Sequence, residues 1–302
     1  MFAELLQQGG LSLDRLQNFC LVAQAGGVTR AAKGDPARQS LFSRQIKELE
    51  EFFGTELIRR KGRGIVLTEK GTRLNVIARE CFSSLLDFKR ECINQPAEVV
   101  IGAGESVIQW LLMPRLDQIR ERMPKVRLKF LNLPSEETVK RLADGLIDFA
   151  LVRKDAVTRP LQAKTVGVMG YSLFVPGSLQ AAESKMDGLK ILDGLPLATL
   201  EGEGNFRSAL DNFARKRGIR MNVQVECPSF PLAARAVARG KVAAILPSIA
   251  AADLQATGAE QVAVSFLREF DREMCLAINP RLIRIRPVLE KVAATLHQVC
   301  RF

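Results

Sequence analysis

Between Ser12 and Gly26 the apolar positions Leu13, Leu16, Phe19, Cys20, Val22 and Ala23 fall three or four residues apart. That spacing predicts a helix, with Ser12 placed to cap its start and Gly26-Gly27 to stop it. A short helical piece, Thr29 to Lys33, breaks at Gly34-Asp35-Pro36. Asp35 is placed to cap the next helix, with Pro36 at its first position. This third helix runs to Phe53 and stops at Gly54, with an apolar stripe of Leu41, Phe42, Ile46, Leu49, Phe52 and Phe53. Arg38, Gln39, Ser40, Ser43, Arg44 and Lys47 fall mainly on its other faces. Two short strands follow, 57–60 and 64–68, with Leu57, Ile58, Val66 and Leu67 as apolar anchors.

The order is helix, short helix, tight turn, polar-faced helix, hairpin. It predicts a winged helix-turn-helix. The hairpin carries Arg59, Arg60, Lys61 and Arg63 around its glycine-containing turn. Cations on a fixed frame suit a phosphate backbone, because each contact displaces condensed counterions. A charge run of this kind can also be no more than a solvated turn. From Glu69 to about Asn94 the chain predicts a long helix in which Leu74, Ile77, Cys81, Leu85, Phe88 and Cys92 form one stripe. Such a seam faces a second copy of the helix or packs on its own chain. Gln95-Pro96 ends it.

Beyond Pro96 the period changes. Short apolar strands at 99–101, 126–133 and 149–153 alternate with helices at 106–121 and 136–144, with a turn at Gly102-Ala103-Gly104. A second unit has strands at 171–175, 197–200, 222–226 and 243–246 and helices at 206–218 and 231–238; the tail adds a strand at 274–278 and a helix at 286–300. Alternating strands and helices imply parallel sheets covered on both faces, and two such lobes offer a cleft at the carboxyl ends of the strands.

Composition narrows the reading. The chain has 302 residues, enough for two or three domains, and a net charge of +11, which favours polyanionic partners. The N-terminus lacks the cationic start and long apolar run of a signal peptide, and the apolar runs are too short to span a bilayer, so a cytoplasmic protein without membrane contact is expected. The six cysteines form no CxxC pair and the one histidine is His297, so no metal site and no cofactor are expected. Small, buried, reduced cysteines are the expectation instead.

The segments "LQNFCLVAQAGGVTRAAKG" and "RQSLFSRQIKELEEFFGTELIRRKGRGIVLTEKGTRL" resemble the DNA-binding head of the LysR-type transcriptional regulators. Gln39, Ser43, Arg44, Gln45, Ile46, Leu49, Glu50, Gly54, Leu57, Leu67, Thr68 and Gly71 carry that likeness. Downstream, "VVIGAGES", "LMPRLDQIRERMPKVRLKF", "RLADGLIDFALVR" and "GKVAAILPSIAAADL" resemble the family's periplasmic-binding-protein-like effector domain. The resemblance implies an α/β protein overall, with a mainly helical DNA-binding domain over 1–68, a linker and dimerisation helix over 69–95, and a two-lobed effector domain over 98–302. Its first lobe would span 98–162 and 267–302, its second 163–266. It further implies a homodimer pairing into a homotetramer on an interrupted inverted repeat in double-stranded promoter DNA. A small-molecule effector would modulate that assembly, with RNA polymerase a further partner if the protein activates.

Two residues depart from the family pattern. Asp35 stands where an apolar residue is usual, and Arg38 where a small polar cap is usual; Leu41 and Phe42 are bulkier than usual. An acid is costly to bury, so Asp35 is expected to face outward as a cap. Gln39 could pair with adenine and Arg44 with guanine or phosphate, or Gln39 could merely position the backbone. For the effector, the implied residues are Gly104, Glu105, Ser106, Leu133, Ser135, Glu203, Asn205, Ser229 and Phe230. With Glu105 and Glu203 there, either the effector is not a simple small carboxylate or these acids point away.

Two other classes fit the sequence less well. "GAGESV" begins like a dinucleotide-binding turn, but Val107 stands at the third glycine and no acid ends the next strand. His297 has no evident Ser or Cys partner and reads as a helix-surface residue, which argues against an enzyme. A solute-binding protein fits the α/β half but not the DNA-binding-like front.

Overall fold

A computed structural model describes residue 5 and residues 9–62, 64–180, 188–202 and 204–302. Arg63 and Glu203 lie outside the described residues. The chain divides into two units, one made mainly of residues 1–95 and one mainly of 96–302.

In the first unit, α1 is Leu13–Ala25, α2 Val28–Ala31 and α3 Pro36–Phe53. Ser12 caps α1 by accepting from the Arg15 amide, and Gly26 ends it in a left-handed conformation. Strands β1 (Ile58–Lys61) and β2 (Gly64–Leu67) pair antiparallel, Ile58 opposite Leu67 and Arg59 opposite Val66. Phe19, Val22, Phe42, Ile46, Leu49 and Leu57 form the core. Period-two alternation decides which wing residues join it. Ile58, Ile65 and Leu67 pack inward, whereas Val66 shares the outward face with Arg59 and is exposed, contrary to its expected anchoring role. The helix stripe is likewise shorter than expected, since Phe53 is exposed and Leu13 lies outside the core.

Helix α4 (Glu69–Cys92) is capped by the Thr68 hydroxyl, which accepts from the Gly71 amide. It ends near Ile93, a little before the expected Asn94.

The second unit holds two five-stranded sheets. The first has the order β4–β3–β5–β12–β6, from β3 (Ala97–Ala103), β4 (Val126–Asn132), β5 (Phe149–Arg153), β6 (Gln162–Met169) and β12 (Arg272–Ile278). The second has the order β11–β7–β10–β8–β9, from β7 (Tyr171–Pro176), β8 (Leu197–Leu200), β9 (Val223–Cys227), β10 (Ala243–Pro247) and β11 (Ala259–Val262). Neither is wholly parallel, although the strand–helix alternation implied parallel sheets. β12 runs antiparallel to both β5 and β6, and β7 antiparallel to both β10 and β11. The reversal comes from the chain entering and leaving the second lobe beside the first. Met169 and Arg272 are register partners, and the two crossings follow at Gly170 and Asp271. Residues 163–169, expected in the second lobe, belong to β6 at the edge of the first sheet, while Leu267 and Phe270, expected in the first lobe, join the second lobe's core.

The helices that matter for the cleft are a helical run α5 over 105–122, which includes a π turn at Ile108–Leu112, then α6 (Ser135–Ala143), α7 (Asn205–Lys216), α8 (Phe230–Ala238) and α9 (Ala251–Gln255). The expected turn at 102–104 shrinks to Gly104, because β3 continues through Ala103. The tail helix runs over Val288–Val299, close to the expected 286–300, and a short helix that was not expected, Pro280–Ile285, precedes it. Among the described residues no helix is long and apolar enough to cross a membrane.

Candidate DNA interface and effector cleft

Asp35 is an exposed cap: its Oδ1 accepts from the amides of Ala37 (2.9 Å) and Arg38 (3.3 Å), with Pro36 next. The acid therefore satisfies free donors instead of burying a charge. Arg38, Ser40, Ser43, Arg44 and Lys47 are exposed along α3, and Gln39 is half-buried. Arg44 lies 3.7 Å from Glu48, which also binds Arg15 at 2.6 Å, and Asn18 donates to Gln45 at 2.6 Å. These contacts tie α1 to α3 and leave the cations of α3 facing solvent.

Arg59, Arg60 and Lys61 are exposed on β1. Their frame is rigid for reasons that explain several of the family-like positions. Glu50 Oε1 accepts from the amides of Leu57 (2.8 Å) and Ile58 (3.2 Å). The Thr68 amide donates to the Leu57 carbonyl at 3.0 Å, and its hydroxyl to the Glu56 carbonyl at 2.8 Å. Gly71 sits so close that a Cβ there would lie 1.9 Å from the Leu57 carbonyl oxygen. Sequence reasoning missed Arg30, an exposed cation whose guanidinium donates to the Gly26 carbonyl at the base of the wing, beside Gly64.

On α4, Leu74 packs on the core of its own unit, so it departs from the expected seam. Ile77, Leu85 and Phe88 are exposed, Phe88 by 63%. Cys81 and Cys92 are exposed too, unlike the buried Cys20, Cys227, Cys275 and Cys300.

Between the lobes of the second unit lies a cleft of about 640 Å³. Of the expected residues, Gly104, Ser106, Ser135, Asn205 and Phe230 line it. Glu105, Leu133 and Ser229 do not; Ser229 instead caps α8. Glu105 therefore places no charge on the cleft wall. Unforeseen lining residues include Glu136, Arg153, Tyr171, Phe206, Arg272 and Met274. Glu136 Oε1 accepts from Arg153 (2.8 Å) on the first lobe and from Asn205 Nδ2 (2.9 Å) on the second, so one carboxylate joins the lobes. Its own backbone amide, Asn205 and Arg153 hold its carboxyl below the usual range against the opposing effect of burial. Tyr171 stacks on Phe206 with ring centroids 4.4 Å apart, and Phe230 meets Phe206 edge-on at 5.2 Å. Burial pushes the Tyr171 phenol up to about 12, so it is a protonated donor at neutral pH.

A second link lies away from the cleft lining. Trp110 on α5 is buried in the second lobe's core, and its indole donates to Asp253 on α9 at 2.9 Å, with Gln109 donating at 3.1 Å. His297 is half-buried, its Nε2 3.0 Å from the Thr165 carbonyl oxygen.

A basic helix-turn-helix with a wing, followed by a two-lobed ligand domain, defines a transcription regulator. The family comparisons agree. The model of the bacterial regulatory helix-turn-helix protein of the lysR family matches residues 13–72, and that of the LysR substrate binding domain matches 95–301. The chain belongs to the LysR family of transcriptional regulators, and is a regulator rather than an enzyme. It is 26% identical over 255 residues to a probable nitrogen assimilation transcriptional activator of Synechococcus elongatus, covering 80% of this chain and 81% of that one. It is 31% identical over 142 residues to the regulator TrpI of Pseudomonas aeruginosa, covering 46% and 48%. Among solved structures, full-length LysG of Corynebacterium glutamicum with bound effector Arg matches with a TM-score of 0.65 at 18% identity, over 96% of this chain and 98% of that one. Full-length CbnR complexed with its target DNA matches with a TM-score of 0.59 at 19% identity, over 96% and 100%.

Proposed function

We propose that the chain binds double-stranded promoter DNA in the cytoplasm as a dimer that pairs into a tetramer, under control of a small effector held between its lobes. The α3 face of Arg38, Gln39, Ser40, Ser43, Arg44 and Lys47 enters the major groove, and Arg59, Arg60, Lys61 and Arg63 engage phosphates. The observation that carries this reading is the wing: three exposed cations on a strand locked to α3 by Glu50 and to α4 by Thr68 and Gly71. The exposed stripe of Ile77, Cys81, Leu85 and Phe88 supplies the dimer contact. Gly104, Ser106, Ser135, Asn205 and Phe230 contribute to the effector cleft. If the protein activates, RNA polymerase is its further partner.

The test is binding of the purified protein to DNA upstream of its own gene across a salt series, with a scrambled competitor. Specific binding is expected. Alanines at Arg59, Arg60 and Lys61 are expected to flatten the slope of log K against log salt by up to about 3, roughly 0.9 per lost phosphate contact. An unchanged slope would reject the wing's role, and equal affinity for both DNAs would reject this promoter as the target.

A further inference from the structure

The chemistry of the cleft points to its ligand class, resting on the reading that this cleft is the effector site. Among the described residues three charged side chains line it: Glu136, Arg153 and Arg272. Glu136 and Arg153 neutralise each other, and Arg153 also binds Asp155 at 3.0 Å. Arg272 has no carboxylate partner among the described residues; one of its amino groups donates to the Asp271 carbonyl at 3.0 Å. The remaining polar side chains on the wall are three hydroxyls and an amide, each able to donate as well as accept. The hydroxyls of Ser106, Ser135 and Tyr171 have no hydrogen-bond partner among the described residues, and Tyr171 stays protonated at neutral pH. Asn205 has its amide committed to Glu136. Arg272, a cation without a carboxylate partner among the described residues, selects an anionic group, which the neighbouring hydroxyls can meet as donors.

The apolar wall narrows the class further. Tyr171, Phe206 and Phe230 form a continuous ring cluster, continued by Val107, Leu151 and Met274. Such a wall accepts a flat apolar body by stacked or edge-on contact. A cleft of about 640 Å³ lies within the range of small-molecule sites, about 300–1,000 Å³. We propose that the effector is a small organic monoanion with an aromatic body, an aryl carboxylate or close equivalent, its anion on Arg272 and its ring against the Tyr171–Phe206–Phe230 cluster.

Calorimetric titration of the full chain tests this with benzoate, phenylacetate and 3-phenylpropionate, against acetate, benzyl alcohol and benzylamine. At least one aryl carboxylate is expected to bind, about tenfold or more tighter than the neutral, cationic and ring-free controls. Arg272→Gln is expected to weaken that binding about tenfold, the scale of one lost charge-assisted contact at about 1.4 kcal/mol. Arg272→Lys should retain part of it, and Phe230→Ala should weaken it with the charge intact. Unfolding temperatures without ligand check that each variant folds. Tighter binding of benzylamine or benzyl alcohol, no binding by any aryl carboxylate, or indifference to Arg272→Gln would overturn the proposal. Ser106→Trp, which fills the cleft, separates the two readings. If it abolishes binding of a neutral or cationic probe, the site stands and the ligand class falls. If an aryl carboxylate binds it undiminished, the ligand lies elsewhere and the effector-site reading falls with it.

Discussion

Replacing Gly71 with alanine is expected to unseat the wing from the helices beneath it. The added methyl would lie 1.9 Å from the Leu57 carbonyl oxygen, where real Cβ contacts stay above about 3.0 Å, so the start of β1 must retreat by about 1 Å. That retreat strains the Thr68–Leu57 backbone bond, the two amides held by Glu50, and the buried Leu57 side chain. Overpacking costs about 1–3 kcal/mol and a bond to a charged group about 1.5–3 kcal/mol, so a loss of about 3–5 kcal/mol is expected. An ordinary domain has a margin of about 5–15 kcal/mol, so much of the head's stability goes. Hydrogen exchange on the full chain reads this locally. Head peptides over 13–68 should exchange about 100-fold faster or more, at about 1.4 kcal/mol per factor of ten, while the second unit stays unchanged. Gly62→Ala is the control: its φ is +57° and nothing lies within 4 Å of a Cβ there. It pays only for the left-handed backbone, about 1–2 kcal/mol. Equal exchange in the two variants would refute the argument from the close approach.

Phe88→Asp and Ile77→Asp, placed on the exposed stripe of α4, should leave the fold intact and shift the protein towards monomer in sedimentation, with operator affinity falling alongside; an unchanged mass would move the dimer contact elsewhere. Asp253→Ala leaves the Trp110 indole without its acceptor and is expected to cost about 1 kcal/mol, read as a lower midpoint of thermal unfolding. Glu136 has a folded pKa below its ordinary value of 4.5, so its contribution to stability is present above about pH 4.5 and is lost as the pH falls through the lower folded value. Glu136→Gln should therefore flatten the fall in unfolding temperature as the pH drops below about 4.5, and an unaltered profile would show that the carboxylate is not what joins the lobes.

The head was largely legible in the sequence because its signals are local. Asp35 and Pro36 stand next to each other, and the helix period runs unbroken to Phe53. What the sequence could not convey was why Glu50, Thr68 and Gly71 are needed, since each acts on Leu57 through space. Val66 was misplaced because a two-stranded wing buries one face, and the pairing of Arg59 with Val66 fixes which. Strands 162–169 and 259–262 escaped notice because edge strands are mostly exposed and read as polar loops. The cleft was half legible. Ser106, Ser135 and Asn205 sit at helix starts that the period locates. Arg153, Tyr171, Arg272 and Met274 meet only because β12 returns beside β5 and β6, a pairing across more than a hundred residues that no local pattern encodes.

The chain has a single tryptophan, and it is the residue that crosses from one lobe into the core of the other. Its emission therefore carries no background from the DNA-binding unit or from elsewhere in the effector unit. Any rocking of the lobes that withdraws the indole from Asp253 and its apolar socket shifts that emission to the red and opens it to collisional quenchers. The regulator thus comes with its own optical gauge of lobe separation, readable without a label while DNA and effector are titrated.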